Sequence, residues 1–342
     1  MLYYNGAGVL SADCPINFSI GNRSTGKSYY WKRYCIKQWF KNKRRFIYLR
    51  RNEVDIKMCV HEWFDDIGNE YPAWDMYAKG GKFFIGKRTA DGEVEHPEVC
   101  GYYHSMSKAA KIKSIPLETV DTIFFDEFIP EDGRYLQPSN PYFEPQMLMN
   151  IYLTVARGYK KVIRPEVKVV CAANMITMYN PYFSLYGIDL TNRKKQIVNN
   201  VYAEITYNRE IADTIRNEKI GAVMMATGYG EYALDNVSQV DDYGHLAQKP
   251  QNAKLQFQLY LYKWYQAWMD RSGYLYFVEN YDRTFPIKYQ IVPVPGNDEP
   301  IPLFDGDILK AVKKTAKNDY IYYDTMQTKT ALMGILQPQL KR

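Results

Sequence analysis

Apolar and polar residues alternate through "INFSIG" (16–21), the period of a strand with one covered face. Beyond a short loop the period lengthens. Tyr30, Tyr34, Ile36, Trp39 and Phe40 recur near helical spacing, which predicts a helix in "YYWKRYCIKQWFKNK". "RFIYLRR" (45–51) then returns to a strand and ends on two arginines. Strand, loop, helix, strand is the opening unit of a parallel α/β sheet.

The signals over residues 52–115 are weaker. "CVHEWFDDI" reads as helix, "KFFIGKR" as strand and "TADGEVEHPE" as a turn-rich excursion. "HSMSKAAKIKS" is small, basic and partly helical in pattern. "DTIFFDEF" (121–128) is an apolar strand that ends on two adjacent carboxylates. "IPEDGRYLQPSNPYFEP" reads as an exposed loop, "QMLMNIYLTVAR" (146–157) as a helix ending in arginine, and "EVKVVCAAN" (166–174) as another buried strand.

From about residue 195 the texture changes to a charged pattern of helical period. The expected organisation is a core domain over 1–194, a helical linker over 195–227 and a small α+β domain over 228–342. In the last, "KLQFQLYLYKWYQAWMD", "GYLYFVENY" and "IKYQIVPV" are aromatic strands, and "DGDILKAVKKTAKNDYIYYD" supplies a closing helix.

Composition narrows the classes. The 342 residues are enough for a core domain and a smaller second one. A formal charge of +6, with a basic cluster over Lys41–Arg45, fits either an anionic partner such as nucleic acid or a solvated basic surface. Five scattered cysteines without a C-x-x-C pair argue against a disulfide framework and a structural zinc site. Four histidines, none at ligand spacing, predict no transition metal. No run approaches about 18 apolar residues, and no secretory signal pattern opens the chain. These features predict a protein of a reducing cytoplasm without a membrane span.

The loop between the first strand and helix is Gly21-Asn22-Arg23-Ser24-Thr25-Gly26-Lys27-Ser28. Its spacing is that of a phosphate-binding loop, in which backbone N–H groups cradle a nucleoside triphosphate, here ATP. Lys27 then reaches the β- and γ-phosphates and Ser28 sits on Mg²⁺. Asp126, at the end of an apolar strand, is the expected companion for that cation, and Glu127 the group that polarises an attacking water.

Three further residues read two ways. Asn174 is a sensor of the γ-phosphate or a turn-forming residue. Arg157 is an arginine finger for a neighbouring subunit or a cation favoured at a helix C-terminus. Arg23 touches phosphate or a neighbour, or is an exposed loop cation.

The ordered set "LSADCPINFSIGNRSTGKSYY", "RRFIYLRRNE", "TIFFDEFI", "LTVAR", "CAANMITMYNPYF" and "YGEYALDN" resembles the phi29-like phage genome-packaging ATPases. That group is related to terminase large subunits and the FtsK/HerA translocases, and the resemblance covers most of residues 10–236. It implies a P-loop ATPase domain of the RecA/FtsK-HerA type with the extra-strand, catalytic-glutamate arrangement. It also implies a homo-oligomeric ring, pentameric in the family, docked on the portal of an empty prohead in the host cytoplasm and absent from the mature virion.

ATP hydrolysis would then drive double-stranded DNA inward. The family's lysine acting in trans matches Lys113 best, with Lys108 and Lys111 nearby. The C-terminal domain would be similar to an RNase H-like nuclease that has lost activity and contacts packaging RNA and the portal. Its scattered carboxylates Asp270, Glu279, Asp305 and Asp307 read better as turn and cap residues than as metal ligands. The alternatives are a cellular FtsK/HerA-like translocase or helicase, and a nucleotide-gated DNA-binding scaffold.

Overall fold

The computed structural model describes residues 3–89, 91–114, 117–137, 140–157, 163–227, 229–236, 243–297 and 299–336, without the side chains of residues 110, 111, 113 and 114. The chain forms two units. The first comprises Met1–Leu136, Pro145–Met178 and Tyr186–Val240, the second Gln137–Glu144, Tyr179–Leu185 and Asp241–Arg342.

The strands of the first unit are β1 (Ile16–Gly21), β2 (Arg45–Arg50), β3 (Trp74–Lys79), β4 (Lys82–Arg88), β5 (Val94–Ser105), β6 (Val120–Asp126), β7 (Lys168–Asn174), β8 (Lys195–Val198) and β9 (Val201–Thr206). Among the described residues these nine join in one sheet of order β3-β4-β5-β2-β6-β7-β1-β9-β8. The run from β5 to β9 pairs in parallel, and the β3–β4, β4–β5 and β8–β9 pairs are antiparallel.

The helices that precede the second sheet in the chain are α1 (Ala7–Ala12), α2 (Lys27–Asn42), α3 (Glu53–Cys59), α4 (Asp65–Gly68), α5 (Phe143–Ala156), α6 (Pro181–Tyr186), α7 (Arg209–Asn217), α8 (Lys219–Ala226) and α9 (Tyr229–Asp235), of which α6 up to Leu185 and the first two residues of α5 belong to the second unit. Parallel sheets are covered on both faces, so their central strands are apolar throughout. Ile123, Phe124 and Phe125 of β6 are accordingly all buried. α2 turns Trp31, Cys35, Ile36 and Trp39 inward. Below β2, Trp63 stacks on Phe46 at 5.1 Å and meets Phe83 at 4.6 Å, making an aromatic floor.

Four departures from the sequence reading have local causes. The stretch 195–227 is not a helical linker throughout. It opens with β8 and β9, because Val201, Tyr202 and Ala203 are buried alongside β1. The helix foreseen in "CVHEWFDDI" is confined to the end of that stretch, as α4, and a separate helix, α3, precedes it, where Asn52 and Asp55 form a reciprocal capping box. The excursion after "KFFIGKR" gives way at Val94 to β5. Finally, α9 belongs to the first unit, and segments 137–144 and 179–185 belong to the second.

The second unit carries β10 (Lys254–Tyr260), β11 (Trp264–Met269), β12 (Leu275–Glu279), β13 (Lys288–Gln290) and β14 (Ile321–Tyr323), with α10 (Gly306–Lys317) and α11 (Met326–Leu336). Its sheet order is β13-β10-β11-β12-β14. The long aromatic run folds back on itself as the β10–β11 hairpin. Tyr262 takes a φ of 60° at the reversal, and the Leu261 N–H donates to the Lys263 carbonyl at 2.9 Å. Among the described residues no helix is long and apolar enough to cross a membrane.

Candidate functional site

β1 delivers the loop and α2 leaves it. A Cβ on Gly21 would stand 2.1 Å from the Thr206 carbonyl oxygen of β9, so a side chain has no room there. Ser24 (φ 61°) and Gly26 (φ 83°) take left-handed backbone. Such reversals let successive N–H groups converge on an anion, and the first turn of α2 adds its own unpaired N–H groups.

Lys27 opens α2 and is buried. Its ammonium donates to the Asn22 carbonyl at 2.9 Å, the Thr25 hydroxyl at 3.1 Å and the Gly21 carbonyl at 3.3 Å. Burial pushes its amine down to about 8, Asp126 pulls it back up, and Arg23 adds to the depression. All three ammonium donors are therefore spent on the loop itself.

The Ser28 hydroxyl donates to Asp126 Oδ1 at 2.8 Å. The other carboxylate oxygen accepts from the Tyr48 hydroxyl at 3.3 Å and lies 3.5 Å from Arg50 Nη1. Arg50 Nη2 then bonds Glu127 Oε2 at 2.5 Å. Glu127 has a φ of 56°. Desolvation by surrounding chain raises its carboxyl above the ordinary range, and Arg50 pulls the other way. More than half of the side chain (54 %) still reaches solvent, so that push is modest.

Arg51 is buried and donates to the carbonyls of Glu127 at 3.3 Å and Phe128 at 2.5 Å, tying down the backbone that follows β6. Ser28 and Asp126 together offer the oxygen donors that suit a hard cation such as Mg²⁺.

β7 lies between β6 and β1, and Asn174 at its end registers against Gly21. The Met175 N–H donates to the Gly21 carbonyl at 3.0 Å, which holds Asn174 beside the loop's first residue. Arg23 is turned elsewhere. Its guanidinium pairs with Glu131 and lies 5.6 Å from the Tyr232 ring centre. Its N–H donates to the Ala233 carbonyl at 3.1 Å, while Asn22 reaches the Leu234 carbonyl at 3.4 Å, so α9 is pinned to the loop.

Arg157 is not part of this cluster. It lies one residue past α5, exposed, in an isolated bridge to Ile163. The neighbouring Arg164 is bonded to the carbonyls of Leu117, Glu118, Val120 and Val155, at the end of β6 opposite Asp126. The side chains of Lys113 and Lys111 lie outside the described residues, and Lys108 is paired with Glu53.

In the second unit Asp270 caps a turn through the N–H groups of Ser272 and Tyr274, Glu279 pairs with Lys263, and Asp305 and Asp307 start α10. Among the described residues no group of three or more His, Cys, Asp or Glu side chains is placed to hold a metal ion. Sequence reasoning missed Tyr48, Arg50, Arg51 and Tyr232. Only the arginine pair closing a predicted strand gave any signal.

Residues 1–295 match the family model described as Podovirus DNA encapsidation protein (Gp16). The DNA packaging protein of Bacillus phage B103 is 31 % identical over 289 residues, 83 % of each chain. That of Bacillus phage phi29 is 29 % identical over 281 residues, 81 % of this chain and 79 % of its own. Among solved structures, the N-terminal domain of the DNA packaging ATPase from bacteriophage phi29 is 31 % identical with a TM-score of 0.50, covering 60 % of this chain and 96 % of that one. A chain of the bacteriophage phi29 viral genome packaging motor assembly is 26 % identical with a TM-score of 0.64, covering 96 % of each.

Proposed function

This chain belongs to the podovirus DNA encapsidation protein family, and from that premise we propose that it is the ATP-driven motor that moves double-stranded viral DNA into a preformed prohead. Phage DNA packaging is the work of the family. The observation that carries the ATPase reading is the convergence of Lys27, Ser28, Asp126 and Glu127 at the ends of β1 and β6.

In this reading the residues from Gly21 to Ser28 receive the phosphates, and Lys27 exchanges its loop partners for phosphate oxygens. Ser28 and Asp126 hold Mg²⁺, which when bound neutralises charge on the β- and γ-phosphates. Glu127 accepts the proton of the attacking water once its carboxylate leaves Arg50. Asn174, beside Gly21, senses the γ-phosphate.

Arg157 works across a subunit boundary. Helix α5, about 21 Å long, lies between Arg157 and the end of the segment that follows Glu127, and in this reading the finger is offered to a neighbour. Lys113 is proposed for the same trans role. The assembly is a homo-oligomeric ring, a pentamer by the family resemblance, docked on the prohead portal in the host cytoplasm with packaging RNA between. The second unit is an inactive nuclease-like docking module. DNA is gripped through its phosphates, without sequence preference.

The test is ATP turnover by the full chain with and without duplex DNA and proheads. Stimulation by both is expected, and turnover indifferent to both overturns the motor reading. Mixing Arg157→Ala with Glu127→Gln subunits separates the trans from the cis finger. Partial recovery of turnover supports trans action, and a dead mixture of intact rings refutes it.

A further inference from the structure

The end of β6 remote from Asp126 holds a second convergence of distant segments. Val120 is the first residue of β6 and Asp126 the last, about 20 Å apart along the strand. The guanidinium of Arg164, a side chain only 11 % exposed, lies at that far end. Its Nη2 donates to the carbonyls of Val155 at 2.7 Å, Val120 at 2.8 Å and Leu117 at 2.9 Å. Nη1 donates to the Glu118 carbonyl at 2.7 Å. The Arg164 backbone N–H adds a bond to the Ala156 carbonyl at 2.7 Å.

These acceptors belong to two stretches of chain. Val155 and Ala156 close α5, and the final carbonyls of a helix have no partner within it. Arg157 follows directly and is exposed, with Ile163 across an isolated bridge. Leu117, Glu118 and Val120 form the other stretch, which begins four residues after Lys113. Among the described residues no other side chain donates to the carbonyls of Leu117, Glu118, Val120 or Val155.

We propose that Arg164 is the positioning residue of the trans-acting groups. Its guanidinium staples the end of α5 to the stretch after Lys113, and so presents Arg157 and Lys113 as one unit to the neighbouring subunit's γ-phosphoryl group. The assignment rests on the proposed trans roles of those two residues. A guanidinium suits the task because its five N–H groups fan out in a plane, where an ammonium offers three from one point. Its charge is also favourable beside the last carbonyls of a helix. Placement matters, since an error of about 1 Å in a reacting group costs around 10²-fold in rate. The length of β6 keeps the pair away from the phosphates of its own subunit.

The experiment is ATP turnover by full chains assembled on proheads with duplex DNA, for single variants and for mixtures. Arg164→Met should lose about 10²-fold of the assembled turnover. Its MgATP affinity by calorimetry and the basal turnover of the unassembled chain should be unchanged. Arg164→Lys should fall between the methionine variant and the wild type. Mixed with Glu127→Gln chains, Arg164→Met should regain turnover well above either parent, because those neighbours bring an intact pair to an intact glutamate. Mixed with Arg157→Ala chains it should stay inactive, because every donor is then impaired.

Recovery with Arg157→Ala, or none with Glu127→Gln, makes Arg164 a support of its own subunit's fold and overturns the proposal. So does wild-type assembled turnover in either Arg164 variant. Should the methionine chain not bind MgATP, Arg164→Lys carries the same two mixtures with the same readings. If Arg157→Ala and Glu127→Gln chains do not restore each other, the trans reading beneath the proposal is what fails.

Discussion

Asp126 and Glu127 at the end of β6 meet Ser28 from another strand–helix junction and Tyr48 and Arg50 from a third segment, 98, 78 and 77 residues away in sequence. The carboxylates of the second unit find company close by. Asp270 bonds Ser272 and Tyr274, and Asp307 bonds Lys310. Glu279 reaches Lys263 at the head of the adjoining strand. Topology accounts for the contrast. Parallel strands deliver all their C-terminal ends to one edge, where segments distant in sequence converge. Antiparallel hairpins return each end to its own neighbour, and their acids become turn and surface residues.

Substitution at the two sets should separate activity from stability. Glu127→Gln should lower ATP turnover by at least ~10²-fold, about 2.7 kcal/mol in barrier, with nucleotide affinity retained. Steady-state kinetics beside binding measurements check this. Turnover within a few-fold of wild type would erase the distinction between the two carboxylate sets.

The next effect is a pH dependence confined to the first set. Phosphate favours charged Lys27, whose amine in the free protein is pushed down to about 8 by burial. Affinity for ATP should therefore be flat with respect to this group below pH 8. Above it, affinity should fall by up to about tenfold per pH unit, with proton uptake approaching one per ATP bound. Calorimetry in buffers of different ionisation enthalpy measures that uptake, and Lys27→Ala, where residual binding is measurable, should abolish it.

The second set should show only changes in stability. Asp270→Ala removes the acceptor of two turn N–H groups and of the Tyr276 hydroxyl, and should cost about 1–2 kcal/mol by denaturant titration with ATP turnover unchanged. Glu279→Gln, which breaks a partly exposed ion pair, should cost less than about 0.5 kcal/mol. Loss of turnover on either change would mean that the second unit shares in the chemistry.

The parts legible in the sequence were those governed by short spacing. The loop Gly21–Ser28 and the apolar run into Asp126 are local patterns, and β1, β2, β6 and β7 fall where the periodicity puts them. Arg50 was invisible as a site residue because its role depends on β2 pairing with β6, a fact of strand order. The strands β8 and β9 were lost in a charged stretch because only Val201, Tyr202 and Ala203 are buried there. The β10–β11 turn carries tyrosine, not glycine, at its positive-φ position, so a single long strand was the natural reading. Membership of 137–144 and 179–185 in the second unit rests on contacts such as Tyr142 with Ser184 at 2.7 Å and Tyr265 at 3.2 Å, which no local window contains.

The left-handed backbone of Glu127 bears on any attempt to harden this protein. A non-glycine residue held at such a φ costs about 1–3 kcal/mol, and glycine adopts it freely. A library sorted on melting temperature alone is therefore drawn towards glycine at position 127. The winners would be sturdier molecules stripped of their carboxylate, so a heat-based screen of this chain has to be run with a turnover assay alongside it.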